Sequence, residues 1–217
     1  MTREFEPVWV SSGGLGGETP PAGYTVGRLK GLQVGTAADP DADYAAGYFY
    51  EAAGRLSRVS GPGLPGYGAV YAYDAGSGLL DELSFNSDSS TKRARVNWSY
   101  ETKRDLVTAV RNRWSTTTVS WYKYQNDDAG RRESIVREGT ALTLAGSAAH
   151  HDAAGYDGRS QLLETARYNN TTHGDTSSPV PGKDFEYSYD VAGNRLSHLA
   201  GDDADETVNY CADELNR

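Results

Sequence analysis

A recurring motif constrains the fold of this chain more than any other feature of the sequence. A tyrosine is followed by an acidic residue, then by glycine with arginine or asparagine, and then by leucine. The clearest copies are Tyr50–Leu56 (YEAAGRL) and Tyr189–Leu196 (YDVAGNRL), with variants at Tyr73–Leu80 (YDAGSGLL) and Tyr156–Leu162 (YDGRSQL). The anchors, spaced as small supersecondary repeats are, are Tyr24, Tyr50, Tyr73, Tyr100, Tyr124, Tyr156, Tyr189 and Tyr210.

Each copy reads as a β-hairpin. Aromatic residues precede the anchors at alternate positions, as in Tyr187 and Tyr189, which is the period of a strand. An acid such as Asp190 accepts backbone hydrogen bonds in a turn, while Gly193 takes a positive φ without strain and Asn194 tolerates it. We therefore predict that the tyrosine packs, the acid and glycine make the turn, and the leucine enters the next strand. The predicted structural repeat residues are Tyr50, Gly54, Arg55, Leu56, Tyr73, Asp74, Tyr189, Asp190, Gly193, Asn194 and Leu196.

The pattern predicts an all-β chain of tandem hairpins forming a curved antiparallel sheet ribbon, or partial β-shell. Residues 1–47 form an irregular Gly/Pro-rich start with a degenerate repeat near 24–30, and residues 48–217 form the repeat array. Loops are expected at 11–23, 35–47 and 169–184. Residues 100–111 carry Leu106, Val107 and Val110 at helical spacing, but the repeat register favours strands.

Charge and cysteine content exclude several classes of function. The net charge of −9 argues against nucleic acid as the main partner. Residues 92–138 are nevertheless basic, and this band either meets an anionic partner or is a solvated face of the sheet. The single cysteine, Cys211, makes no internal disulfide and no Cys-based zinc site. No apolar run is long enough to span a membrane, and the first residues lack the apolar core of a signal peptide.

Residue clusters that suggest chemistry each have a structural alternative. His150-His151-Asp152 suggests a metal or acid–base site, but adjacent residues of a strand point to opposite faces, and the small residues around them indicate a loop. His173 and His198 read as isolated surface residues. Gly14–Gly17 imperfectly resembles a dinucleotide-binding loop, and Asp202–Glu206 could bind Ca²⁺ or form a solvated turn. We predict no enzymatic activity and no catalytic, cofactor-binding or metal-binding residues.

The copies at Tyr50–Leu56 and Tyr189–Leu196, with a closing variant at Tyr210–Arg217, resemble the YD-repeat (Rhs-repeat) family. The resemblance covers residues 48–217 and extends weakly to Tyr24. It implies a β-sheet ribbon wound into a hollow shell, as in bacterial Rhs proteins and the C components of Tc toxins, where the shell encloses a toxic domain. Teneurin-like YD repeats serve cell–cell contact, and some members have been proposed to bind carbohydrate.

The resemblance therefore implies a structural or encapsulating scaffold of a secreted or cell-surface, polymorphic-toxin-like protein. Its partners would be adjacent repeats of a longer chain or shell, an encapsulated effector domain, or a glycan. The alternative is a carbohydrate- or partner-binding module that uses exposed aromatic side chains. No self-cleavage motif follows the array, and so few units would not close a large cavity, so we expect a truncated or excised segment, or one that stacks on partners.

Overall fold

The computed structural model describes residues 3–4, 31–34, 45–61, 64, 66–201 and 207–210. The chain forms two compact units, Met1–Asn97 and Trp98–Arg217. The described residues contain fifteen antiparallel strands and one short helix, which confirms the all-β class and the tandem hairpins. The degenerate repeat near 24–30, the loop at 11–23, Gly14–Gly17, Asp202–Glu206 and Cys211 lie outside the described residues.

The first unit is a meander in which each strand pairs antiparallel with the next strand along the chain. Its strands are β1 (Arg3–Glu4), β2 (Gly31–Val34), β3 (Ala45–Tyr50), β4 (Leu56–Ser60), β5 (Gly68–Tyr73), β6 (Leu80–Asn86) and the start of β7 (Lys92–Tyr100). Because neighbours in sequence are neighbours in the sheet, each hairpin turn joins two paired strands.

The second unit follows the same rule, again with consecutive strands paired antiparallel. Its strands are β8 (Val107–Trp114), β9 (Thr117–Asn126), β10 (Arg132–Glu138), β11 (His150–Tyr156), β12 (Leu162–Tyr168), β13 (Pro179–Tyr189), β14 (Arg195–Ala200) and β15 (Val208–Asn209). One helical turn, α1 (Thr140–Leu144), connects β10 to β11. No helix among the described residues is long and apolar enough to cross a membrane.

Two local expectations can be compared with these strands. Residues 100–111 are not helical, since β7 ends at Tyr100 and β8 begins at Val107. The loop expected at 169–184 is wrong in its second half, because β13 begins at Pro179, which pairs with Tyr168. Proline is tolerated at the first residue of a strand, where its missing N–H need not join the ladder.

The buried side of β6 in the first unit is polar. Glu82, Ser84 and Asn86 alternate along the strand and are 9%, 1% and 3% exposed. Asn97 donates to the Glu82 carboxylate at 3.0 Å, and the Lys92 ammonium contacts the same group. Burial raises the pKa of Glu82, but the bonds from Lys92 and Asn97 outweigh it, so that the pKa lies below its usual range.

In the second unit, the most buried side chains lie beneath the loop at 169–178. Val136 and His151 are fully buried and Ser134 is 3% exposed, all on one face of β10 and β11. The loop makes polar contacts here, because the His173 imidazole hydrogen-bonds the Ser134 hydroxyl. The loop was predictable from its composition, but its position over the sheet was not.

Candidate functional site

The repeat turns share one geometry built from their acidic residues. At Asp190 the backbone N–H donates to the Asn194 carbonyl at 2.9 Å, while the Gly193 N–H donates back to the Asp190 carbonyl at 3.1 Å. The Asp190 side chain also accepts from the N–H groups of Ala192 and Asn194. This is a three-residue hairpin loop whose third residue takes a left-handed conformation.

The same pair of backbone bonds begins at Glu51, Asp127 and Asp157. The left-handed position is Gly54 with φ 83° and Gly193 with φ 95°, but Ser160 with φ 64° in the turn that begins at Asp157. A non-glycine residue in this conformation carries strain. The turns that begin at Asp74 and Glu101 contain one more residue, since their N–H groups donate to Leu79 and Leu106.

In three of the hairpins a tyrosine hydroxyl binds the preceding hairpin. In the first unit, Tyr73 donates to the Leu56 carbonyl at 2.8 Å. In the second unit, Tyr189 donates to the Leu162 carbonyl at 2.9 Å. Tyr156 does the same toward Arg132 at 2.9 Å. Each acceptor is the first residue of the strand after the preceding turn, so the tyrosine has a structural role between repeats.

Arginines tie the turns in the opposite direction. The Arg131 guanidinium pairs with Asp127 in its own turn at 2.6 Å and donates to the Asp157 carbonyl in the next turn at 2.8 Å. Arg159 likewise donates to the Val191 carbonyl at 2.7 Å. In the first unit, Arg55 pairs with Glu51 and donates to the Ser77 carbonyl, and its guanidinium stacks over the Tyr73 ring at 4.3 Å. In the second unit, Arg104 pairs with Glu101 and donates to the Asp127 carbonyl.

We call this combination of backward tyrosine and forward arginine hydrogen bonds the inter-repeat lock. It joins residues between 17 and 32 positions apart, so it connects different hairpins rather than residues of one turn. Guanidinium donors bonded to a carboxylate and to a carbonyl are charge-assisted and directional. Sequence analysis identified Arg55 and the tyrosines as repeat positions but not the partners that they bind.

One repeat anchor is displaced from its expected position. The turn after β9 starts at Asp127, and Asn126 pairs with Arg132 as Tyr156 pairs with Leu162. Asn126, not Tyr124, therefore takes the tyrosine position. Tyr124 is followed by Gln125 rather than by an acid, which was the available sequence signal. The Asn126 amide donates to Glu101 at 2.9 Å instead.

The hairpin of β13 and β14 contains the remaining predicted repeat residues. Tyr189 pairs with Arg195, and Leu196 is the next residue along β14, with its side chain 44% exposed. The Leu196 carbonyl accepts from the Tyr210 N–H at 2.8 Å. The Asn194 amide and N–H bonds hold the pKa of Asp190 below its usual range, because they favour the charged carboxylate.

Several aromatic rings of the strands have cations over their faces. Arg132 lies 3.7 Å from the centre of the Tyr124 ring, and Arg111 and Lys123 both lie 4.6 Å from the Trp121 ring. In the first unit Arg58 lies 3.8 Å from the Phe49 ring. These contacts occupy faces that a sugar would need for stacking, so they favour packing within the sheet over a sugar-binding platform.

His150 and His151 each have a contact of their own. His151 stacks on Tyr168 at 4.9 Å, while the His150 Nδ1–H donates a 2.9 Å hydrogen bond to the Ala148 carbonyl. Because they are adjacent residues of β11, His150 and His151 lie on opposite faces of the sheet. No group of three or more potential ligands is arranged around a metal in the described part of the chain.

Three expectations about the histidines and their surroundings are wrong. The residues Ala153–Gly155 are not a loop, because they continue β11 and pair with β12. His173 is not an isolated surface residue, since it bonds Ser134 and burial lowers its pKa. His198 is also not isolated, because its ring lies 6.3 Å from that of Tyr187.

Consecutive hairpins that are hydrogen-bonded to one another at their turns define a β-hairpin repeat protein. Comparisons with solved structures agree with this architecture. No family model and no curated protein matches the chain. Solved structures do match. The TcdB2-TccC3 complex without its hypervariable C-terminal region matches over 87% of this chain, with 18% identity and a TM-score of 0.56. The Photorhabdus luminescens Tc holotoxin pore matches over 85% of it, with 18% identity and a TM-score of 0.56. The TcdB2-TccC3 complex itself matches over 85%, with a TM-score of 0.54.

The likeness to these Tc toxin chains supports the resemblance to the YD-repeat (Rhs-repeat) family that the sequence motif indicated. The chain spans only 9% of the length of each of those chains.

Proposed function

We propose that this chain is a wall segment of a Rhs-type shell, a scaffold rather than an enzyme, that helps to enclose another polypeptide. The inter-repeat lock carries this proposal. Because the turns that begin at Glu51, Glu101, Asp127 and Asp157 each bind the following turn through an arginine, further hairpins can be added to the ribbon in the same way. The fold that it shares with Tc toxin chains supports a toxin-associated role.

The proposed partners are further repeats, which would continue the sheet, and an enclosed effector domain. Secretion, or display at the cell surface, follows from the same proposal, since the neighbours are components of toxins. An edge strand that is not paired would be a site for aggregation, and further repeats would cover it.

Electron microscopy of the protein expressed from its complete gene tests the proposal. We expect a hollow particle with this segment in its wall, and an enclosed region that resists added protease. The variant Arg131→Gln removes one arginine of the lock and should increase cleavage of the enclosed region. Arg93→Gln, which removes the same charge from an exposed site, should not. A particle without an internal cavity would contradict the proposal.

A binding module is the second candidate, because Trp114 is 62% exposed beside the tight turn between β8 and β9. An exposed tryptophan at a hairpin tip can stack on a sugar or pack on a partner protein. A glycan screen with the wild-type chain and with Trp114→Ala distinguishes the two candidates. Binding that depends on Trp114 would favour the module, whereas no binding would favour the scaffold alone.

A further inference from the structure

A cavity of about 320 Å³ lies on one face of the second unit, between β10, β11, β12 and β13. Its lining includes four cationic side chains, those of Arg132, Arg137, Arg167 and Lys183, and Asp152 is the one acid among the lining residues. Ile135 and Phe185 contribute apolar surface. The volume is at the small end of the range typical of ligand sites.

The charges in this cavity are not balanced. Asp152 accepts from Arg167 at 2.7 Å, and the same carboxylate contacts Arg137. Two guanidinium groups therefore share one carboxylate, and Lys183, at an exposed position, and Arg132 bring the positive charges that line the cavity to four. Burial lowers the pKa of Arg137, and the neighbouring charge of Arg167 lowers it further, as expected where like charges are crowded.

Donor groups remain for a second anion. Arg137 uses only its Nη1 in the contact with Asp152, whereas Arg167 uses Nε and Nη2. The side chains of Arg137 and Arg167 are 27% and 35% exposed, so the cavity can be reached from solvent. Guanidinium groups bind carboxylates through paired N–H donors, and Asp152 holds these two in place beforehand.

We propose that this cavity binds a small carboxylic acid with an apolar body, which would supply the missing negative charge. The carboxylate pairs with Arg137 and Arg167 beside Lys183. The body packs against Phe185 and Ile135, which lie on the same face of the sheet as Asp152. This role differs from the scaffold function, because none of the groups assigned to the ligand forms a bond of the lock, although Tyr156 and Arg132 of the lock also line the cavity.

Saturation-transfer NMR on the full chain, with benzoate as the probe, tests the proposal. We expect saturable benzoate binding. Neutral benzamide should bind about tenfold or more weakly, because a charge-assisted hydrogen bond is lost. Acetate should also bind more weakly, because it lacks the apolar body. Tighter binding of inorganic phosphate than of benzoate would overturn the assignment to a carboxylate.

Variants locate the binding site. Arg167→Gln should weaken benzoate binding by about tenfold or more, whereas Arg93→Gln in the first unit should leave it unchanged. Lys183→Gln provides a second measurement that does not risk unfolding, because Lys183 is exposed. Circular dichroism checks that each variant is folded. Equal benzoate affinity in the wild type, Lys183→Gln and a folded Arg167→Gln would overturn the proposal, as would the absence of saturable binding at millimolar concentrations.

Discussion

The Tyr189 hydroxyl donates a 2.9 Å hydrogen bond to the carbonyl of Leu162, 27 residues earlier in the chain. The bond joins the hairpin of β13 and β14 to the hairpin of β11 and β12. Because Tyr73 and Tyr156 make the same bond to their preceding hairpins, the tyrosine of the motif is explained by a contact between repeats. Four predictions test the contributions of individual side chains to the stability of this fold.

Removing the Tyr189 hydroxyl should destabilise the chain. Tyr189→Phe keeps the ring but leaves the Leu162 carbonyl without this donor, so the free energy of unfolding should fall by about 0.5–1.5 kcal/mol. Urea denaturation measures the change. Tyr187→Phe is the matched control on the same strand, since no hydrogen bond from its hydroxyl is described, although its ring stacks near His198. Equal effects in the two variants would contradict the role assigned to the Tyr189 hydroxyl.

A side chain at Gly193 should strain the turn. Gly193 has φ 95°, and a Cβ there would lie 3.2 Å from the Gln161 amide nitrogen. Gly193→Val should therefore lower the free energy of unfolding by at least about 1–2 kcal/mol, since β-branched residues resist this conformation. Gly158→Val is the control, because nothing lies within 4 Å of a Cβ at that position. Unchanged thermal stability in Gly193→Val would count against the turn geometry.

Glycine at position 160 should stabilise the chain. Ser160 has φ 64° and occupies the position that Gly193 occupies in its own turn. Ser160→Gly relieves that conformation, and we expect the free energy of unfolding to rise by up to about 1 kcal/mol. Ala192→Gly should instead lower the free energy of unfolding. Ala192 is not among the residues with positive φ, so the glycine relieves no strain there and only increases the entropy of the unfolded chain. Thermal melts of both variants test the difference in sign.

Stability should fall as the solution becomes mildly acidic. Burial lowers the pKa of His150 and of His173 in the folded state, and the charges of Arg167 and Arg137 lower that of His150 further. The unfolded chain therefore binds protons more readily than the folded chain. This contribution to stability is complete above about pH 6.5, the ordinary value for histidine, and is lost as the pH falls below it.

The measurement is the melting temperature between neutral and mildly acidic pH, above the range where ordinary carboxylates titrate. The double variant His150→Gln, His173→Gln should show a shallower decrease than the wild type, whatever its stability at neutral pH. An identical slope in both proteins would show that other groups cause the pH dependence.

The turns were accessible from the sequence because their hydrogen bonds are local. Asp190, Gly193 and Asn194 lie within five residues, so their chemical types alone specify a turn that closes by bonds between them. The alternation of aromatic residues before each turn likewise specifies a strand over a few residues. These signals gave the all-β class and the tandem hairpins.

At Asn126 the tyrosine motif does not predict the position of the turn. Tyr124 resembles an anchor because it is a tyrosine preceded by aromatic residues at strand spacing. The position of the turn is set instead by Asp127, whose carboxylate binds the Arg131 guanidinium and backbone N–H. A search that aligned the acids rather than the tyrosines would have found the register.

The sequence by itself determined that this chain forms aromatic strands joined by acid–glycine turns, because those features depend on neighbouring residues. Only the tertiary structure decided that Arg131 reaches Asp157, that the loop at 169–178 buries His151, and that Arg137 and Arg167 share Asp152. The partners in these contacts are 15 to 26 residues apart, across repeats of unequal length. Which side chains meet therefore depends on the register of the assembled sheet, which spacing along the chain does not specify.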